Sequence, residues 1–230
     1  MDILRKSPAQ EWFENSVIEK YSYNFRWMGI PIIQYPQDIV AMQEIIYELK
    51  PDLIIETGIA HGGSIVFYAS LLELNAIDGG PKNAIVVGID IDIRAHNLAK
   101  LEKHSMFSRM VLLEGSSVSE DMIKKVHEIA KGFNKILVIL DSNHTEEHVL
   151  AELRAYSNLV SRGSYCVVFD TAIEDLPDEL HSERSWGKGN NPKSAVFKFL
   201  AENANFKIDK SIDDKIQISV APSGYLKRVN

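Results

Sequence analysis

The sequence predicts an α/β fold of the Rossmann-like kind: an open, mostly parallel sheet with helices on both faces and an antiparallel strand at its C-terminal end. Three observations carry that prediction. Short apolar runs rich in β-branched residues recur at 53–57, 84–90, 110–115, 135–141 and 164–170 ("LIIET", "AIVVGID", "MVLLEG", "KILVILD", "SYCVVFD"), the pattern of strands covered on both faces. Helical patterns fill the intervals at 64–76, 94–104, 119–131 and 145–161, so strands and helices alternate as right-handed βαβ crossovers. A chain of 230 residues, 45% hydrophobic and 25% charged, suits one globular domain that buries its own core.

In chain order, residues 1–37 carry Trp12, Tyr21, Tyr23, Phe25 and Trp27 and are expected to form an aromatic-rich cap or interface arm, ahead of a main domain at 38–230. "DIVAMQEIIYELKPD" sets Ile39, Met42, Ile45, Ile46 and Leu49 on one helical face, with Asp38 as N-cap and Pro51 closing the helix. The alternating units follow, the last helix opened by Thr145. After the fifth strand, the polar segment 171–191, interrupted by Pro177, Gly187 and Gly189 and followed by Pro192, is long enough to read as a lid. "KSAVFKFLAEN" is a helix, and "FKIDKSIDDKIQISVAPSGYLKRV" reads as two closing strands joined through polar "SIDD".

A net charge of −7, with no basic cluster interleaved with aromatics, argues against nucleic acid as a partner. No apolar run approaches the roughly 20 residues of a membrane span, and "MDILRKSPAQEWFENS" lacks a signal-peptide core, so a cytoplasmic protein is expected. The single cysteine, Cys166, lies inside "YCVVF" and reads as a buried thiol. The aromatic arm and the lid favour a homo-oligomer.

In such a fold, ligands bind beyond the carboxyl ends of the strands. The first of those ends is "IIETGIAHGGS", where Glu56 precedes Gly58 by two residues and would repel a phosphate. The dinucleotide pattern fits only with Ala60 at its second glycine, and Asp90 comes later than the ribose-binding acid should. Glu56, Gly58 and Gly62 match the E/D-x-G-x-x-x-G turn of S-adenosylmethionine enzymes instead. That donor carries a sulfonium and an ammonium but no phosphate, which suits a carboxylate beside the turn. Asp90 is then placed to accept both ribose hydroxyls, and "EGSS" (114–117) lies near the adenine. The plainer alternative is that Glu56 and Asp90 only cap turns.

Asp141 and Asp170 end the fourth and fifth strands; on neighbouring strands their carboxylates lie about 5 Å apart. A divalent cation between them would relieve their repulsion, unless each caps the next helix separately. His144, in "DSNH", overhangs the same crevice as a candidate base or metal ligand. His61, inside the glycine turn, is placed to touch cofactor or substrate, whereas His96, His104, His127 and His148 read as solvated helix residues.

The stretches "YPQDIVAMQEIIYELKPDLIIETGIAHGGSIVFYASLLEL", "VVGIDIDIRAHN", "LDSNHTEEHVLAEL", "WGKGNNPKSAVFKFL" and "ISVAPSGYLKRV" together resemble the cephalosporin hydroxylase family, also described as rhamnosyl O-methyltransferase-like, from about Trp27 to the C-terminus. The resemblance implies a class I methyltransferase fold, with S-adenosylmethionine at Glu56, Gly58, His61, Gly62, Ser64 and Asp90; Thr57, Ile91, Ser116, Ser117 and Asp141 are expected to complete that cofactor site. It implies a Mg2+ site at Asp141 and Asp170, with Thr171, Glu174 or water standing in for the ligand missing at Phe169. The catechol O-methyltransferase group is similar in layout, with a lysine where His144 stands. One departure is clear: the family pattern Glu-Asp-Thr reads Phe169-Asp170-Thr171 in this chain, which leaves a metal-independent transfer relying on His144 as an alternative.

The expected activity is O-methylation of a hydroxyl on a small saccharide-derived or natural-product acceptor. His144 would be the base, and His181, Arg184 and Trp186 of the lid would choose the acceptor; Trp186 is expected on a sugar face or at an interface. The rivals are a hydroxylase or oxidoreductase, as the family name suggests, and a silent cofactor-binding partner of a glycan-modifying enzyme. For the first, neither a two-histidine-one-carboxylate set nor a dinucleotide fingerprint is evident.

Overall fold

A computed structural model describes residues 6–230 of the chain. Helix α1 (Pro8–Ile18) opens with a Ser7 capping box, and a hairpin follows of β1 (Phe25–Trp27) and β2 (Ile30–Ile32). Its two turn residues, Met28 and Gly29, both have positive φ (46° and 88°), the turn geometry whose twist suits two-residue hairpins. Helix α2 (Pro36–Leu49) leads into the alternating series: β3 (Leu53–Thr57), α3 (Gly63–Ile77), β4 (Ile85–Asp90), α4 (Ala95–Leu101), β5 (Met110–Glu114), α5 (Glu120–Ala130), β6 (Ile136–Leu140), α6 (Glu146–Tyr156) and β7 (Tyr165–Val168). The chain closes with α7 (Pro192–Glu202), β8 (Phe206–Ile208), α8 (Lys210–Ile216) and β9 (Tyr225–Arg228).

The seven-stranded sheet runs β5-β4-β3-β6-β7-β9-β8. Pairing is parallel from β5 to β7, while β9 is antiparallel to both of its neighbours. The chain works outward from β3 in one direction and from β6 in the other, so the crevice between their carboxyl ends is the switch point where such folds bind ligands.

Alternate strand residues enter two cores. Ile54, Val86, Leu137, Ile139 and Val167 pack with α2 and α3; Ile55, Val87, Val138, Leu140 and Val168 pack with α5, α6 and α7. That is why the strands read as continuous apolar runs. Helix α3 is buried almost all round, so it needs a further cover. The β1–β2 hairpin supplies it: the Trp27 and Phe67 ring centroids lie 4.7 Å apart, edge to face, and Trp27 Nε1 donates to Ser70 Oγ at 3.0 Å.

Three sequence expectations are corrected here. Tyr35, not Asp38, is the N-cap of α2. Asp38 is fully buried and accepts from Ser219 Oγ (2.6 Å), Val220 N (3.0 Å) and Tyr225 Oη (2.8 Å), which ties α2 to the chain entering β9. "SIDD" is not a strand connection but part of α8, capped by Asp209 accepting from Ser211 N and packed through Ile212 and Ile216. The fifth strand ends at Val168, so Asp170 stands beyond it in a left-handed conformation (φ 57°).

Candidate functional site

The turn after β3 is shaped by the protein's own packing. A Cβ on Gly58 would sit 2.0 Å from the Asp141 carbonyl oxygen, because β3 and β6 approach closely where Asp141 N bonds Thr57 O at 2.9 Å. A Cβ on Gly62 would lie 2.7 Å from Leu101, and its φ of 90° also demands glycine. These glycines therefore admit neighbouring chain as well as leaving room for a ligand. Asp90 buttresses the same turn: Oδ2 accepts from Ile59 N (2.7 Å) and Ala60 N (3.1 Å), and Oδ1 from Asp92 N (3.0 Å). Of about four lone-pair sites on a carboxylate, one is left. The expected bidentate grip on a ribose is thus reduced to a single acceptor position unless the turn yields, and the capping role set against it is real.

Glu56 is fully buried. Its Oε2 accepts from Ser64 Oγ at 3.0 Å, while Oε1 has no partner among the described residues. Burial, with Asp90 nearby, holds its carboxyl well above the usual range. An orphaned acidic oxygen under a glycine turn fits a ligand that brings a cationic donor. Alongside lies a cavity of about 310 Å³ lined by Gly58, Asp90, Ile91, Ser116, Ser117 and His148. Thr57 is buried in the sheet, and its hydroxyl has no partner among the described residues.

Across the switch point, the ends of β6 and β7 and the entry to α6 bring Asp141, His144 and Asp170 together, with one ligand atom of each within 4.8 Å of the others. His144 Nδ1 lies 3.6 Å from Asp170 Oδ2, and Trp186 meets the imidazole edge-on at 4.9 Å between centroids. Burial, then Asp170, then Glu56, pushes the Asp141 carboxyl well up from its ordinary value. Two carboxylates and one imidazole at this spacing fit a divalent cation. The cluster opens on a cavity of about 390 Å³, walled by α1, the glycine turn and the segment after β7. That segment, 171–191, is pinned down: Glu174 Oε2 accepts from Gly189 N at 2.8 Å and from the buried Asn191, which caps α7.

Thr171 does not join the cluster. It is fully buried and its Oγ1 donates to Pro222 O at 2.8 Å, turned toward the chain before β9; the third member of the cluster is His144. Trp186 is engaged within the chain, with Arg184 over its ring at 5.3 Å, so one face is already covered. His61 and Ser64 line the larger cavity. His148 is not a solvated helix residue: its Nε2 lies 3.1 Å from Ser117 Oγ and 3.3 Å from Glu152 Oε1. Sequence reasoning missed Gln34 and Glu152. Gln34 is buried, reaches Asp141 Oδ2 through Nε2 at 3.4 Å, and leaves Oε1 without a partner among the described residues. A polar residue next to "YPQD" carries no local signal of that contact; Glu152 had one, an acid at the helical i+4 position from His148.

Fold and site together define a class I S-adenosylmethionine-dependent O-methyltransferase. The sequence profile of the Rhamnosyl O-methyltransferase/CmcI family matches residues 19–229, and the chain belongs to that family. It is 31% identical over 232 residues to the Rhamnosyl O-methyltransferase of Mycobacterium tuberculosis, covering 99% of this chain and 86% of the relative. The protein of the same name in Mycobacterium leprae is 28% identical over 204 residues, covering 88% and 82%. Among solved structures, CmcI in a form described as Mg-SAM superposes with a TM-score of 0.62 at 18% identity, over 100% of this chain and 88% of the other. A TDP-rhamnose 3'-O-methyltransferase of calicheamicin biosynthesis gives 0.58 at 17%, over 98% and 96%. At those identities the structures speak for the fold. No helix among the described residues is long and apolar enough to cross a membrane.

Proposed function

We propose that the chain methylates a hydroxyl of a small saccharide-derived acceptor, with His144 as the base. The observation that carries this reading is the imidazole held between Asp170 and Trp186 at the floor of the larger cavity, beside the glycine turn. S-adenosylmethionine supplies an electrophilic methyl, and the protein's share is alignment of the acceptor oxygen and removal of one proton. Nδ1 faces Asp170 at 3.6 Å, which leaves Nε2 to take that proton. Glu56 receives the donor's ammonium and Asp90 one ribose hydroxyl. Asp141 and Asp170 would hold a divalent cation such as Mg2+, which would lower the pKa of a hydroxyl bound to it. Gln34 Oε1 and His181 Nε2, both buried beside this cavity without partners among the described residues, suit the hydroxyls of a sugar better than an apolar acceptor. The names of the relatives at 28–31% identity support a sugar.

The test is transfer of labelled methyl from S-adenosylmethionine to rhamnosides and other glycosides, with Mg2+ and with chelator. Transfer only to acceptors without a sugar would overturn the acceptor class. Activity unchanged by chelator would remove the cation and leave the His144–Asp170 pair. We further propose a homo-oligomer, supported by the exposed Val40 and Tyr47 of α2 and Leu74 and Ile77 of α3; a monomer mass by light scattering would refute the assembly.

A further inference from the structure

A second polar cluster lies outside the acid–histidine site. Glu152 of α6 is fully buried, and no lysine or arginine pairs with it among the described residues. Its Oε1 accepts from Ser117 Oγ at 2.5 Å and from Ser142 Oγ at 2.7 Å, and its Oε2 has no partner among the described residues. Ser117 follows β5 and Ser142 follows β6, so this one oxygen joins the loops on either side of the smaller cavity. Burying a carboxyl is costly unless its bonds secure something in return.

What it secures is proton placement. With both hydroxyl protons directed at Glu152, the serine oxygens are left as acceptors, and His148 Nε2 stands 3.1 Å from Ser117 Oγ and 3.3 Å from Ser142 Oγ. That surrounding of acceptors fixes the proton of a neutral imidazole on Nε2, so Nδ1 keeps its lone pair. His148 lines the cavity, with its side chain 22% exposed.

We infer that His148, locked in this tautomer by Glu152 through the two serines, reads the 6-amino group of the donor's purine. Nδ1 as an acceptor matches an amine and opposes a 6-oxo group, whose lone pairs would face its own. The inference rests on the reading that this cavity takes the adenosine half of S-adenosylmethionine. Glu152 is then a positioning residue: it never touches the base, and its loss frees the serines to turn and the imidazole to change tautomer.

The experiment is calorimetric binding of S-adenosylhomocysteine and of S-inosylhomocysteine, which has an oxo group in place of the amine, to the full chain. The wild type should prefer the adenosyl ligand by about tenfold or more, the worth of one well-placed hydrogen bond against an unpaired group. His148→Ala should bring the two affinities to within about twofold, and Glu152→Gln should shrink the ratio while costing the adenosyl ligand less. A purely structural role predicts equal weakening of both ligands and an unchanged ratio, which overturns the inference, as does a wild type that does not discriminate. If Glu152→Gln fails to fold, His148→Ala, at a partly exposed position, still decides. Should the wild type bind neither ligand, the assignment of the cavity to adenosine falls, and this inference with it.

Discussion

At the scale of single residues, the site makes sharp demands. Gly58 is held by the approach of two strands: any side chain there must displace the Asp141 backbone, which also carries a cluster residue. Gly58→Ala is expected to cost more than about 3 kcal/mol, from the clash and the strained φ together; a urea midpoint unchanged from wild type would contradict it. His144→Ala should lower kcat by about 10²–10⁴-fold, the usual worth of a general base, and leave S-adenosylhomocysteine affinity within about threefold. Equal losses in both would make His144 a ligand-binding residue instead. Glu56→Gln should weaken S-adenosylmethionine binding by about tenfold or more, since an amide cannot supply the charge that an ammonium seeks; calorimetry reads it directly.

At the scale of elements, the parallel strands were legible because each is buried on both faces and so is written as an unbroken apolar run. The convergence of Asp141, His144 and Asp170 was legible because each stands just past a strand end or at a helix entry. Less visible were features whose cause lies far off in sequence. Asp38 looks like a cap by position, yet its partners are 181 to 187 residues away. "SIDD" is polar enough for a turn, and only the spacing of Ile212 and Ile216 betrays a helix docked by one face. His148 carries the same surface pattern as an exposed helical histidine; its difference comes from Ser117 on another crossover.

Asp38 also gives a pH signature. Burial raises its pKa from 3.8 to about 6, so the native state holds the proton over a range where the unfolded chain has lost it. This group's contribution is therefore full below about pH 4 and is lost as the pH rises through 6. At 1.36 kcal/mol per unit, the span is about 3 kcal/mol. Asp38→Asn should flatten stability between pH 4 and 7, measured by urea midpoints. A mutant slope equal to the wild type's would assign the pH dependence to other groups.

At the scale of the whole molecule, the proposed reading brings cofactor, acceptor and optional cation to one switch point, walled by α1 and by the segment after β7. Binding there should register globally. At a hundredfold excess over Kd, S-adenosylhomocysteine should add about 2.7 kcal/mol, which for a chain of this size raises Tm by roughly 5–10 °C. If chelator removes turnover but not this shift, cation and cofactor bind independently.

The final strand sits inside the sheet, between β7 and β8, rather than at its border. Ending the chain before Tyr225 would thus do more than shorten an edge. It would strand β8 with no ladder to join and lay bare the hydrogen-bonding groups of β7, a ready template for another molecule's strand. Loss of the last half-dozen residues should accordingly turn a well-behaved enzyme into an aggregating one.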